Sequence, residues 1–400
     1  MGTEARRRHT TNQTTVKLTR VGIDRILPSD DAAALLDLTR ELSDRELAPR
    51  ADDFERRGEF PRDLMRTLGR AGLLGLPYPE EYGGSAQPYE VYLQVLEEIA
   101  GRWLAVAEAV SVHTLSCYPL AHHGSDDQRK RLLPDMLGGR MLGAYCLSEP
   151  GGGSDAAALT TRAERAGDEY VVTGTKAWIT HAGVADFYNV FCRTGGPGSD
   201  GISCLLVDAD APGIVPQRRE STMGLRSSPV AQIAFDGVRV PTDRVIGTEG
   251  QGFRIAMSAL DSGRLGIAAC AVGLAQAALD YAVGYAKERE VFDQRVIDWQ
   301  GVGFMLADLA TQISAARALT LHAARLRDTG RPYRIEAAKA KLFATDVAMR
   351  VTTDAVQVLG GYGYVADHPV ERYMREAKAL QIVEGTNQIQ RWVISRSLAR

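Results

Sequence analysis

EYVVTGTKAWIT, residues 169–180, alternates apolar and polar positions and is rich in β-branched and aromatic residues, the pattern of a half-buried strand, with a turn predicted at Thr173–Gly174. Everything before it reads differently. DDAAALLDLTRELSDREL (30–47) and PRDLMRTLGRAGLLGL (61–76) repeat apolar residues at steps of three and four, as a helix with one buried face does. Gly72, Gly75, Pro77 and Pro79 interrupt that pattern, a loop runs through EEYGG (80–84), and YEVYLQVLEEIA (89–100) resumes it. After the strand come more of the same kind: FYNVFC (187–192), ISCLLVDA (202–209) and AQIAFDGVRV (231–240). Helical spacing returns after GQGF (250–253). In EAAKAKLFATDVAMRVTTDAVQVLGG (336–361) Phe343, Val347, Val351 and Ala355 form one stripe, and Gly360–Gly361 ends it. Helices, then strands, then helices do not alternate, which excludes a doubly wound parallel sheet and points to a mainly helical α+β chain. The expected division is a flexible N-terminal tail over 1–28, a helical domain over 29–140, a small antiparallel β domain over 141–250 and a helical bundle over 251–400.

Composition narrows the class. The chain is 45% hydrophobic and 24% charged, ordinary for a globular protein, and its net charge of −3 with no long basic stripe argues against nucleic acid as a partner. Arg6–Arg8 sit in a polar, Thr-rich stretch with no apolar core, which is not a secretory signal, although its basic character suits a transit peptide. Cys117, Cys146, Cys192, Cys204 and Cys270 are odd in number and widely spaced, so a disulfide framework or zinc site is not expected and a reducing compartment fits. GIAACAVGLAQAALDYAVGYA (266–286) is the most apolar run; Gln276 and Asp280 interrupt it, and its small residues predict a helix buried among helices rather than in a membrane.

Several chemistries have no motif. There is no P-loop, no strand–GxGxxG–helix unit and no metal-ligand spacing; the adjacent His122 and His123 do not face one site on a helix. The informative segments are individually weak. The glycine run of YCLSEPGGGSD (145–155) suits either a ligand cradle or a flexible turn, and an indole in AWIT (177–180) is more often core. Asp261 and Arg264 in LDSGR (260–264) have the spacing of a surface ion pair, Arg289 in REVFDQRVIDWQ (289–300) suits a phosphate or solvent, and Glu384 in IVEGTNQIQR (382–391) sits where Thr386 or Asn387 caps a helix.

In combination and in order, these segments resemble the acyl-CoA dehydrogenase family: EPGGGSD, AWIT, the Asp–Arg pair, RxxF with a later Gln, QVLGGYGY (357–364) and VEGTNQIQ (383–390). The resemblance runs from about residue 30 to 400 and includes MGLRSSP (223–229) and PVERYMREAKALQI (369–382). It implies an N-terminal helical domain, a middle β domain and a C-terminal four-helix bundle, FAD between the last two, assembly as homotetramers or dimers, and trans-2,3-dehydrogenation of an acyl-CoA in fatty acid β-oxidation, with electrons passed to an electron-transfer flavoprotein. Carried over to this chain, the resemblance implies flavin contacts at Tyr145, Leu147, Ser148, Gly153, Ser154, Trp178, Ile179 and Thr180. Further FAD contacts are implied at Arg289, Val291, Phe292, Trp299 and Gln300 (toward a neighbouring subunit), Gln357, Gly360 and Gly361 (pyrophosphate side), and Thr386, Asn387 and Gln388. Substrate contacts are implied at Ser154, Asp261, Arg264 and Gly385, and no metal is implied. The implied location is cytoplasmic, or the mitochondrial matrix in a eukaryote.

The resemblance makes Glu384 the base. The α-proton of a thioester is weakly acidic, and a desolvated carboxylate with a raised pKa suits its removal. Some relatives carry the base on the helix after the aspartate matching Asp261; here that position is Gly263, which has no side chain to serve. Val383 stands where tyrosine is common and Asp293 where glycine is usual. Glu108, in AVAEAVSVH (105–113) near the expected acyl tail, is predicted to face outward, because buried unpaired acids are rare; Trp103 is placed to shorten the pocket. Alternatives on the same fold are a carrier-protein thioester as substrate, oxygen as oxidant and, last, a non-catalytic scaffold.

Overall fold

The computed structural model describes residue 23 and residues 25–399. Residues 1–22 of the expected tail lie outside the described residues, but its last part is anchored. Arg25 is almost fully buried and pairs with Glu97 at 3.0 Å and Glu98 at 2.8 Å.

Among the described residues, six α-helices precede the sheet: α1 (Asp30–Leu42), α2 (Ala48–Arg57), α3 (Arg62–Arg70), α4 (Tyr89–Ala100), α5 (Leu104–His123) and α6 (Asp126–Leu137). Capping starts them where the sequence supplies it. The Ser29 hydroxyl accepts from Ala32 N at the head of α1, and Ser125 and Gln128 form a reciprocal capping box at the head of α6.

The strands are β1 (Gly143–Cys146), β2 (Arg162–Ala166), β3 (Glu169–Thr180), β4 (Phe187–Arg193), β5 (Ile202–Asp208), β6 (Ile214–Pro216), β7 (Val230–Pro241) and β8 (Val245–Ile246). They form one sheet in the order β6-β7-β3-β2-β4-β5-β8, mostly antiparallel, with β1 added parallel to β4 and β2 meeting β4 in parallel at Arg162 and Arg193. The expected turn at Thr173–Gly174 is absent. β3 runs through it, and the register against β7 shifts there instead. Gly174 sits at φ 154°, and a side chain at that position would drive into Thr161; the glycine serves close packing inside a bulged strand rather than chain reversal.

The second helical set is α7 (Gly252–Glu288), α8 (Gln300–Asp328), α9 (Arg334–Leu359), α10 (Val370–Leu380) and α11 (Asn387–Leu398), with a short hairpin of β9 (Glu290–Val291) and β10 (Gln294–Arg295) between α7 and α8. The small residues of α7 let its neighbours approach: side chains added at Gly266 and Gly273 would collide with Ser111 of α5 and with the Glu97 backbone of α4. The two helical sets therefore share one core; one part of the sheet has a core of its own, while Phe187, Phe191, Cys204 and Leu206 pack against α5, α6 and the start of α7. On α9, Val347, Val351 and Ala355 are buried as expected, but Phe343 is at the surface. α5 and α7 are long and apolar enough to cross a bilayer, and both are largely buried within the fold.

Candidate active site

A cavity of about 1170 Å³ opens where the two helical sets meet the end of β3, and α5, the loop after β1, α7, the turn before α11 and α11 itself wall it. The loop after β1 is held from behind. Lys176, fully buried on β3, donates to Glu149 at 2.9 Å and to Leu147 O at 3.1 Å, and Glu149 also accepts from Thr160 N and Oγ1 and from Thr161 N. These charge-assisted bonds hold the Glu149 carboxyl down at about 2 against the cost of its burial. With its base anchored, the glycine run is left open: a side chain at Gly151 would meet nothing within 4 Å, and one at Gly153 would meet only Ser148, at 3.6 Å.

Beside this loop, β3 slips register between Lys176 and Ile179. Trp178 takes φ 60° and its side chain is 66% exposed, not core. A bulge next to a site re-aims a side chain, and a bulky residue at positive φ is a strained one. Here the bulge stands the indole in the cavity wall with Ile179 and Thr180.

Opposite, the turn before α11 carries Glu384 at φ 54°. The residue is half-buried, yet both carboxyl oxygens are shielded from solvent and neither has a hydrogen-bond partner among the described residues. Burial raises its pKa to about 8; Arg264 and Lys341 oppose that shift and Glu108 adds to it. Arg264 extends from α7 into the cavity wall, where it pairs with Asp261 at 2.7 Å and reaches the Glu384 carbonyl at 3.4 Å. The pair is thus largely buried rather than a surface pair.

Glu108 does not face outward. It is buried in the cavity wall, accepting from Ser228 Oγ at 2.6 Å and Thr180 Oγ1 at 3.3 Å, and burial lifts its carboxyl to about 7 despite both bonds. The rarity of buried acids misled the sequence reading because two hydroxyls distant in sequence supply the partners.

Of the sequence-predicted residues, Tyr145, Leu147, Ser148, Gly153, Ser154, Trp178, Ile179, Thr180, Arg264, Glu384, Gly385 and Thr386 line this one cavity. Asp261 stands behind Arg264. Asn387 is buried and turned away, bonded to Lys341, Thr345 and Asp346. Arg289, Val291, Phe292, Trp299, Gln300, Gln357, Gly360, Gly361 and Gln388 lie outside the cavity wall. Phe292 and Asp293, both at positive φ, form the tip of the β9–β10 hairpin, and Phe292 is 89% exposed. Lys176 and Lys341 were missed. Their signal was a lysine inside an otherwise buried pattern, and it is visible only in hindsight because an exposed lysine at either position reads the same.

Models of the acyl-CoA dehydrogenase N-terminal, middle and C-terminal domains match residues 29–140, 144–238 and 250–399. This chain belongs to the acyl-CoA dehydrogenase family. An acyl-CoA dehydrogenase of Bacillus subtilis is 43% identical over 90% of this chain and 96% of its own length. A short-chain specific acyl-CoA dehydrogenase of Clostridium acetobutylicum is 40% identical over 91% and 96%. Among solved structures, butyryl-CoA dehydrogenase of Megasphaera elsdenii superposes with a TM-score of 0.92 at 38% identity, covering 94% of this chain and all (100%) of that one. A chain from a structure described as the electron transferring flavoprotein of Acidaminococcus fermentans gives 0.92 at 42% identity, with 94% and 100% covered.

The chain is therefore an oxidoreductase of an FAD-dependent family. Its cavity fits that cofactor on its own terms. The volume exceeds what a short acyl group needs, the glycine run leaves backbone open to close approach, and an aromatic face at Trp178 stands uncovered.

Proposed function

We propose that this acyl-CoA dehydrogenase removes the α-proton of an acyl-CoA thioester with Glu384 and yields the trans-2-enoyl product. The observation that carries the reading is the Glu384 carboxyl, which is shielded, unpartnered and raised to about 8 in the wall of the large cavity. A carboxylate with no hydrogen-bond donor to satisfy it is a stronger base than one in water, and its proton affinity near neutrality matches it to a weak carbon acid.

The segments Tyr145–Ser154 and Trp178–Thr180 would hold FAD. When bound, FAD supplies the acceptor for the hydrogen and two electrons that leave the β-carbon. The chain does the rest. Arg264 and Gly385 position the thioester beside Glu384, the Glu384 N–H serves its carbonyl oxygen, and the apolar wall of Val112, Leu115 and Ile267 excludes water from the acyl group. Arg289, Phe292 and Gln300 we assign to the cofactor of a neighbouring subunit, which suits their exposure away from this cavity. A short or medium acyl chain, straight or branched, suits the relatives named for short-chain and butyryl substrates, and an electron-transfer flavoprotein is the inferred acceptor.

Replacing Glu384 with Gln tests the reading. The variant is expected to keep bound flavin and to lose bleaching on addition of acyl-CoA; a variant that still bleaches at the wild-type rate removes Glu384 from the mechanism.

A further inference from the structure

We infer that Lys341, on α9 and outside the cavity wall, is a positioning residue that fixes the turn carrying Glu384 and supplies a cationic field to its carboxyl group. The inference rests on the role proposed for Glu384.

Glu384 and Gly385 both lie at positive φ, 54° and 95°. A non-glycine residue held there is strained unless its surroundings over-determine it. Three side chains do so by gripping the carbonyl oxygens of two successive peptides, those of Glu384 and Gly385. Arg264 Nε reaches Glu384 O at 3.4 Å, Gln390 Nε2 donates to Gly385 O at 2.8 Å, and Lys341 Nζ donates to the same oxygen at 3.0 Å. Lys341 also donates to Asn387 Oδ1 at 2.9 Å, and Asn387 in turn donates to Thr345 and Asp346 of α9. The turn is thus tied to α9 at two points, and among the described residues the carboxyl group of Glu384 has no donor of its own.

The charge matters apart from the hydrogen bonds. Lys341 is fully buried, and both its acceptors are uncharged. A neutral donor would satisfy them, and an ammonium is costly there unless a negative charge nearby offsets the burial. Glu384 is the larger such charge and Asp346 the smaller: both oppose the downward push of burial on Lys341, which still takes it down to about 7, and Lys341 opposes the upward push on Glu384. The titratable groups acting on or sensing Glu384 are Arg264 and Cys270 of α7, Lys341 of α9, Glu108 of α5, Tyr89 and Tyr92 of α4 and Tyr145 of β1. Only Arg264 and Lys341 are cationic, and Arg264 is already paired with Asp261. Arg264 exerts the larger pull on Glu384, and Lys341 is the second cation, the one of the two with no carboxylate hydrogen-bonded to it.

The experiment uses the FAD-loaded enzyme and an acyl-CoA analogue that has α-hydrogens but no hydrogen to lose from the β-position. Exchange of its α-hydrogen for solvent deuterium, followed by mass spectrometry across pH, reports the proton transfer alone: Glu384 takes the proton, exchanges it with solvent and returns a deuteron. Lys341→Gln keeps a donor and removes the charge. Its exchange profile is expected to move up by about one pH unit, with roughly tenfold slower exchange at pH 7, at unchanged flavin content. Lys341→Arg is expected to restore the wild-type midpoint. Gln390→Leu, which loosens the same carbonyl without altering charge, is expected to slow exchange and leave the midpoint in place. A Lys341→Gln profile with the wild-type midpoint overturns the inference, even if the variant melts lower. Exchange that persists in Glu384→Gln overturns the proposed base instead, so the two failures are distinct.

Discussion

The carboxyl group of Glu384 occupies the space that a side chain at Gly263 would fill: a methyl carbon built on Gly263 would lie 3.0 Å from the Glu384 carboxyl carbon and closer still to one oxygen. The two positions are 121 residues apart in the chain, yet only one of them can carry a side chain into this corner. Gly263 lies on α7, inside a helix, where glycine is unfavourable by roughly 1 kcal/mol relative to alanine. The site tolerates that cost because an alanine would displace the carboxyl group.

Gly263→Ala is therefore expected to be nearly neutral in melting temperature, since gained helix propensity offsets crowding, but to slow flavin bleaching by roughly a hundredfold as Glu384 is displaced by about an ångström. Stopped-flow absorbance beside a thermal melt separates the two effects. A variant that bleaches normally would show that the carboxyl acts from elsewhere.

Activity should fall on the acid side. As the proposed base, Glu384 must be unprotonated to act, and its pKa is raised to about 8, so kcat/KM is expected to drop tenfold per pH unit below that value. Stability should run the other way. Glu384, Glu108 and Glu376 are raised from 4.5 to about 8, 7 and 7. The folded chain therefore holds these protons more tightly than the unfolded chain. Their contribution to stability is complete below pH 4.5 and is lost as pH rises through 7 to 8. The melting temperature of wild type should fall relative to that of Glu384→Gln as pH rises from 4.5 to about 8 and hold a constant difference above that.

Lys176→Met leaves Glu149 buried with its backbone and hydroxyl donors but no cation. Removing one partner of a buried pair costs about 3–5 kcal/mol. Because Glu149 anchors the glycine run, flavin loss on gel filtration is the sensitive readout. A variant that melts lower but retains flavin fully would uncouple the anchor from the cradle.

Arg25→Ala tests whether the described end of the N-terminal segment is structural. Glu97 keeps Arg317 at 2.9 Å and Glu98 keeps Arg40 at 3.0 Å, so the loss is expected at about 2 kcal/mol rather than a full buried-charge penalty. Urea denaturation measures it directly.

Glu108→Leu replaces the acid in the cavity wall by an apolar group. The ratio of kcat/KM for a plain acyl chain over the same chain bearing a hydroxyl should rise by roughly tenfold, the value of one polar contact in a closed site. An unchanged ratio across an acyl-CoA panel would place the tail of the substrate elsewhere.

The order of helices and strands, the buried character of α7 and the family are legible in the chain before it folds, because periodicity, capping residues and motif order are local properties. The sequence also singled out Glu384, Arg264 and the glycine run, which the fold brings to one cavity. What those residues meet depends on contacts between distant segments. Thr173–Gly174 was read as a turn because glycine signals both chain reversal and close packing, and only Thr161, brought alongside by β2, distinguishes them. Glu108 was read as exposed because its partners, Ser228 and Thr180, come from the loop before β7 and the end of β3. Lys341 resembled any helical lysine until the turn at 384–385 was folded onto it. Burial and charge partners arise between segments far apart in the chain, and the environment of a titratable group follows from them rather than from its neighbours in sequence.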